Sequence, residues 1–165
     1  MTAGATYIPI ATTTLGSAAA SYTFSSIPST YTDLVLIFNG TTTNGIALQL
    51  NGDTGANYSR TILYGDGSSA LSTRGSSENY AFQTPPNPSG GNSLAMIYQI
   101  NSYSTTTTYK TILSRFNYPS GGVSAVVNLW RSTAAITSIS VLSNIGGSGT
   151  FSTGSTFTLY GISAA

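Results

Sequence analysis

Four carboxylates are the residues of this 165-residue chain best suited to acid–base chemistry. The sequence contains no histidine, no cysteine and a single lysine, so the usual general bases, thiol nucleophiles and soft-metal ligands are missing. Glycoside hydrolysis needs only two carboxylates at a suitable separation. The acids are Asp33, Asp53, Asp66 and Glu78, and the pair that could come together is Asp53 with Asp66.

Both of these aspartates stand beside glycine in turn-like segments, and this context favours a structural role. An aspartate in such a segment commonly accepts hydrogen bonds from its own backbone. The same loop oxygens could collect Ca²⁺, but their spacing matches no EF-hand or nonapeptide loop. We therefore predict no catalytic residue, no metal site and no cofactor.

Aromatic and arginine side chains offer a second kind of chemistry, contact with a sugar or with another protein. Tyr103 and Tyr109 flank a Ser/Thr run that predicts a hairpin tip, so they are candidate glycan contacts or ordinary strand-end tyrosines. Trp130 follows an apolar alternation that favours the core, but it would anchor an interface if exposed. Arg115 and Arg131 have no neighbouring acid in sequence, so each has a distant partner or faces solvent or another subunit. These five residues are the candidate interface or glycan contacts.

The composition around these residues is typical of an all-β protein. Ser and Thr make up roughly a third of the chain, and Thr, Val, Ile, Tyr and Phe all favour strands. Only 5% of the residues are charged and the net charge is +1, which argues against a nucleic-acid partner. No stretch has the length of a membrane span and no export signal is recognisable, so we expect neither.

Alternation of apolar and polar residues with a period of two predicts about eight or nine strands. The clearest strand covers 94–101, and the continuous apolar run 34–38 predicts a central strand covered on both faces. The other predicted strands are 7–15, 21–27, 46–50, 110–118, 123–131, 136–143 and 155–163. With no helical crossovers, the chain is predicted to be one antiparallel β-sandwich domain over 1–165, of jelly-roll type, with an up-and-down barrel as the alternative.

A long irregular insertion is predicted at about 53–83. It holds only short apolar pieces, 61–64 and 80–82, and could include a helical turn or a brief edge strand. Ordered insertions of this length usually carry function or pack as a flap over a sheet edge.

Several segments resemble a group of small structural proteins of tailed bacteriophages, particularly phages of aquatic bacteria and cyanobacteria. The matching stretches are 10–15 (IATTTL), 26–36 (SIPSTYTDLVL), 50–53 (LNGD), 57–61 (NYSRT), 63–69 (LYGDGSS) and 157–162 (FTLYGI). The resemblance implies a jelly-roll β-sandwich that assembles into virions in the host cytoplasm. It supplies no active site to transfer to this chain.

Two function hypotheses follow, the first from this resemblance and the second from the predicted β-sandwich with its tyrosine-bearing loops. The first is a non-enzymatic capsid decoration or cement protein that bridges subunits of the major capsid protein. The second is a tail or fibre module that binds host-surface glycan. Interfaces are depleted in Lys and Glu and enriched in Tyr and Arg, and this chain has one Lys, one Glu, eleven Tyr and four Arg. Because virion subunits meet around symmetry axes, we also expect a homo-oligomer, with a trimer as the simplest form.

Overall fold

The computed structural model describes residues 6–82, 92–118, 122–143 and 148–163, and these residues form strands and loops without a helix. No membrane-spanning helix is therefore present in the described part of the chain. The strands are β1 (Tyr7–Thr14), β2 (Ser21–Phe24), β3 (Asp33–Thr42), β4 (Ala47–Leu50), β5 (Tyr58–Gly65), β6 (Ala70–Glu78), β7 (Ala81–Phe82), β8 (Asn92–Ile100), β9 (Lys110–Tyr118), β10 (Gly122–Trp130), β11 (Ile139–Leu142) and β12 (Thr156–Ile162).

The strands form two antiparallel sheets. The large sheet has the order β1-β12-β3-β8-β9-β10-β5-β6, and the small sheet has the order β2-β11-β4-β7. Strands that are neighbours in a sheet are often distant in sequence, so the up-and-down barrel is wrong. The all-β antiparallel sandwich is confirmed, whereas its jelly-roll topology stays a prediction.

The hydrophobic core lies between the two sheets, and aromatic rings connect them. The ring of Tyr22 in β2 stacks on Phe157 in β12 with the centroids 5.4 Å apart. Phe157 also lies 5.1 Å from Phe38 and 5.0 Å from Phe151. At the other side of the core, Tyr58 of the large sheet accepts a hydrogen bond of 3.0 Å from the backbone N–H of Leu50 in the small sheet. Both sheets therefore share one core.

The predicted irregular insertion at 53–83 is wrong, because most of it is regular. β5 and β6 form an antiparallel hairpin, and β5 pairs with β10 along its whole length, so the hairpin extends the large sheet by two strands. β6 is rich in Ser, Thr and Gly and largely exposed, so it lacks the apolar alternation that marks a strand in the sequence. All nine predicted strands are present, with end shifts of a few residues, and β5, β6 and β7 were missed.

Candidate interaction surface

Four adjacent strands of the large sheet, β8, β9, β10 and β5, place apolar side chains on the side facing away from the small sheet. Four of these side chains are well exposed: Val123 (63%), Leu63 (58%), Val127 (46%) and Leu113 (40%). The outward side chains of Ala95, Ile97 and Ala125 lie between them on the neighbouring strands. We call the surface formed by these residues and Arg115 the apolar face, and its members are Leu63, Ala95, Ile97, Leu113, Arg115, Val123, Ala125 and Val127.

The apolar face arises because β10 is apolar at every outward position from Val123 to Leu129, whereas its inward positions are only partly apolar. Val126 and Trp130 point into the core, while Val123 and Val127 point outward and remain exposed. An antiparallel sheet with one solvated face normally has polar residues at its outward positions. A contiguous apolar surface on a monomer is typical of an interaction site.

Arg115 is the only ionisable residue of the apolar face. It is exposed and is paired across the sheet with Ile97 on β8 and with Ala125 on β10. Within the described residues the one salt bridge joins Arg60 Nη1 to Glu78 Oε1 at 2.9 Å, so Arg115 has no ion-pair partner there. A concavity of about 400 Å³ adjoins it, lined on the outer side by Ile37, Asn39, Ala95, Ile97, Asn117 and Val123.

Two of the five candidate contact residues, Tyr103 and Trp130, are buried, so neither side chain is available to a ligand or a partner. Tyr103 is fully buried, and its hydroxyl donates to the carbonyl of Pro28 and accepts from the backbone N–H of Tyr31 at 3.4 Å. Trp130 lies in the core, as its alternation favoured, and its indole Nε1–H donates to Asp53 Oδ2 at 2.7 Å. Both aromatic side chains fix loops to the sandwich.

The remaining candidates, Arg131, Tyr109 and Arg115, do not come together. The Arg131 Nη2 donates to the carbonyl of Tyr58 at 3.3 Å, and its backbone N–H donates to the carbonyl of Asn57 at 2.8 Å, so it holds the loop before β5. Tyr109 is 53% exposed and directly precedes β9. Arg115 lies six residues further along, at roughly 20 Å by the rise of a strand. Of the five, Arg115 alone lies on the apolar face.

The two aspartates considered for glycoside hydrolysis lie at opposite ends of β5. Asp53 precedes the strand and Asp66 follows it, so the eight residues between Tyr58 and Gly65 separate them by roughly 25 Å. Glycosidase carboxylates lie within about 10 Å of each other. Asp53 and Asp66 therefore cannot form such a pair in this fold.

Each of these aspartates accepts hydrogen bonds from its own turn. Burial alone would raise the pKa of Asp53, but hydrogen bonds from Trp130, Asn57 and the backbone of Gly55 outweigh it and lower the pKa. The pKa of Asp66 is lowered by hydrogen bonds from the backbone of Ser68 and Ser69 and from the Ser68 hydroxyl. Both shifts fit a carboxylate that stabilises a turn.

Comparison with known proteins gives no match, either to a protein-family model or to a curated protein sequence. The fold and the surface show an all-β sandwich protein with an exposed apolar sheet face. The described residues hold no group of three or more His, Cys, Asp or Glu suited to a metal ion.

Proposed function

We propose that the protein is a non-enzymatic structural component of a bacteriophage virion, a decoration protein that bridges subunits of the major capsid protein. The apolar face is the observation that carries the proposal. Its exposed Leu and Val side chains gain from being covered, at about 25 cal/mol per Å² of apolar surface removed from water. The segments resembling phage structural proteins supply the virion context.

The size of the apolar face fits a protein interface. The apolar face covers four strands about 4.8 Å apart and about five residues of β10, from Val123 to Val127, so it measures roughly 300 Å² before side-chain relief is counted. A specific interface buries about 800 Å² on each partner, so the apolar face would form the centre of one and the neighbouring sheet surface its rim. Further copies would be arranged around a capsid symmetry axis, with a trimer as the simplest arrangement.

The strand order supports the finer inference of a jelly roll with two inserted hairpins. Without the β5–β6 and β9–β10 hairpins, eight strands remain, in the order β1-β12-β3-β8 in one sheet and β2-β11-β4-β7 in the other. Renumbered from one to eight, these orders become 1-8-3-6 and 2-7-4-5, the pattern of two nested Greek keys. Both inserted hairpins extend the same sheet, and they contribute most of the apolar face.

Analysis of intact virions tests the proposed function. We expect quantitative mass spectrometry of purified virions to detect the chain in many copies per particle, and cryo-EM to locate it on the capsid shell. Density on the tail would favour the glycan-binding module, of whose two candidate tyrosines Tyr103 is buried and Tyr109 is exposed. Particles that lack the chain would contradict both hypotheses.

A further inference from the structure

The chemistry of the partner can be inferred from the one charged residue of the apolar face. We infer that this face binds a segment of a different protein in which a carboxylate stands next to a large apolar side chain. The carboxylate pairs with Arg115, and the apolar side chain fills the concavity beside it. The inference rests on the proposed function in taking the apolar face as the docking surface.

Arg115 requires a counter-charge if the apolar face is covered. Arg115 is paired in register with Ile97 on one side and with Ala125 on the other, and Leu113 precedes it by two residues on the same side of β9. Removing an unpaired guanidinium from water is costly, and a carboxylate that bonds two of its N–H groups offsets this cost with defined geometry. No acid of the chain belongs to the apolar face.

A second copy of the chain is the less suitable partner for Arg115, because pairing with one of its side-chain carboxylates would compete with a hydrogen bond made within its own fold. Each of the four acids is bonded within its own fold: Asp33 to the backbone N–H of Ser102, Asp53 to Trp130 and Asn57, Asp66 to Ser68 and Ser69, and Glu78 to Arg60. A two-fold contact centred on this face would also bring Arg115 against its own copy, and like charges at an interface are unfavourable. These observations favour a different protein as the partner.

The concavity next to Arg115 supplies the apolar half of the recognition. Its volume of about 400 Å³ accommodates a Leu, Phe or Trp side chain, and Ile37, Ile97 and Val123 form its apolar wall. Interface energy concentrates in such pockets when an anchor side chain fills them and neighbouring contacts exclude water. A carboxylate close to that anchor reaches Arg115 at the rim.

A selection from random peptides tests this recognition without knowledge of the natural partner. The probe is a yeast-displayed library of peptides of about 12 residues, selected on the full chain and counter-selected on Val123→Lys. We expect enriched peptides to carry Asp or Glu within about three residues of Leu, Ile, Phe, Met or Trp. Fluorescence anisotropy with synthetic peptides should then show at least tenfold weaker binding to Arg115→Glu and partial loss with Arg115→Ala.

Matched variants separate recognition from general charge effects. Thr12→Glu introduces an acid on the exposed outer side of β1, at the opposite edge of the large sheet, and should change peptide affinity less than twofold. Peptides with the acid changed to Lys should bind Arg115→Glu better than the wild type. Circular dichroism confirms that each variant is folded.

Three results would overturn the inference: enriched peptides without an acid, equal binding to Arg115→Glu, or a wild-type dimer that Val127→Lys dissociates in sedimentation equilibrium. Virions provide the separate test of the proposed function. If Arg115→Glu enters virions at the wild-type level, the inference is wrong and the proposed function stands. If virions lack the chain but selected peptides depend on Arg115, the proposed function is wrong and the inference stands.

Discussion

The outer surface of the large sheet has two halves with different chemistry. On β1 and β12, Thr12, Thr14, Thr156 and Thr158 point outward, and the Thr12 hydroxyl donates to the Thr158 hydroxyl at 3.3 Å. On β9, β10 and β5 the outward positions include four exposed Leu and Val side chains, Leu113, Val123, Val127 and Leu63. We call the threonine surface the hydroxyl half. Both halves belong to one sheet and cover the same core, so strand formation does not explain the difference.

The comparison between threonine and valine identifies what each half is suited to. The two side chains have nearly the same shape, and both favour strands, but only threonine offers water a hydroxyl. Threonine at Val123 and Val127 would therefore have preserved the strand and improved its hydration. The valines suit a surface covered by another molecule, whereas the hydroxyl half suits contact with water.

The largest effect should come from the core, which is apolar beneath both halves. Phe157→Ala removes a fully buried ring that contacts Tyr22, Phe38 and Phe151 under the hydroxyl half, and should lower the free energy of unfolding by about 3–5 kcal/mol. Thr158→Ala, its outward neighbour, should cost less than about 1 kcal/mol. Urea denaturation measures both. If both variants lost a similar free energy of unfolding, the buried and the outward side chains of β12 would contribute equally to stability, which would contradict this prediction.

A second test places the same charge on each half of the outer surface and compares the effect on virion assembly. Val127→Lys places a charge on the apolar face and should reduce the number of copies per virion at least tenfold, about 1.4 kcal/mol in binding, because the ammonium must be desolvated on docking. Thr12→Lys places the same charge on the exposed hydroxyl half and should leave the copy number unchanged. Quantitative mass spectrometry of purified virions compares them.

Thermal unfolding provides the control for this pair, because both side chains point away from the core. Comparable melting temperatures would exclude misfolding as the cause of a lost interaction. Equal loss from both variants would contradict the assignment of docking to the apolar face, and loss from Thr12→Lys alone would reverse it.

The interior beneath the apolar face contains a polar residue, Asn128, whose replacement by an apolar side chain should stabilise the fold. Asn128 is fully buried, and its amide has no hydrogen-bond partner among the described residues. Asn128→Leu should raise the free energy of unfolding by about 1 kcal/mol, because an unsatisfied buried amide is replaced by an apolar group of similar size. Denaturant titration measures the change.

Thr42→Val is the matched control for Asn128→Leu. Thr42 is also fully buried, but its hydroxyl lies 2.6 Å from the Ser143 hydroxyl and donates to the carbonyl of Asn44 at 2.8 Å. Valine there should destabilise the fold by about 1–2 kcal/mol. Destabilisation by Asn128→Leu would show that the amide is satisfied in solution.

The sequence predicted the sandwich because most strands bury one face, which leaves an alternation that can be counted. The β5–β6 hairpin was missed because β6 is an exposed edge strand, whose Ser, Thr and Gly residues resemble a loop. Its register depends on β10 through β5, at pairs such as Leu63 with Ala125, and these contacts are long-range. Local patterns do not contain that information.

The candidate site was harder to predict than the fold, for a similar reason. Tyr103 looked like a hairpin-tip aromatic, but it is buried, and the carbonyl of the distant Pro28 accepts a hydrogen bond from its hydroxyl. Arg115 was identified because it lacks a local acid, and this absence also holds for the described fold. The exposed Val123 and Val127 belong to an apolar alternation that is visible in the sequence, but only the sheet order shows which side the small sheet leaves uncovered.

The smallest predicted effect concerns the end of β10, where the indole of Trp130 donates a hydrogen bond to Asp53. The strands of the hydroxyl half, β1 and β12, contain no acid that could make a similar contact. The pKa of Asp53 is lower in the folded chain than its ordinary value of 3.8, so the ionised form adds stability that is complete above that value and is lost as the pH falls through the folded pKa. Asp53→Asn keeps an oxygen that can accept from Trp130 but does not titrate. The variant should therefore lose less stability than the wild type as the pH falls from about 4 to about 2, by a margin that is small because Asp53 is only partly buried. Urea midpoints measured across this range test the prediction, and equal slopes for both proteins would show that the Asp53–Trp130 tie does not contribute to acid stability.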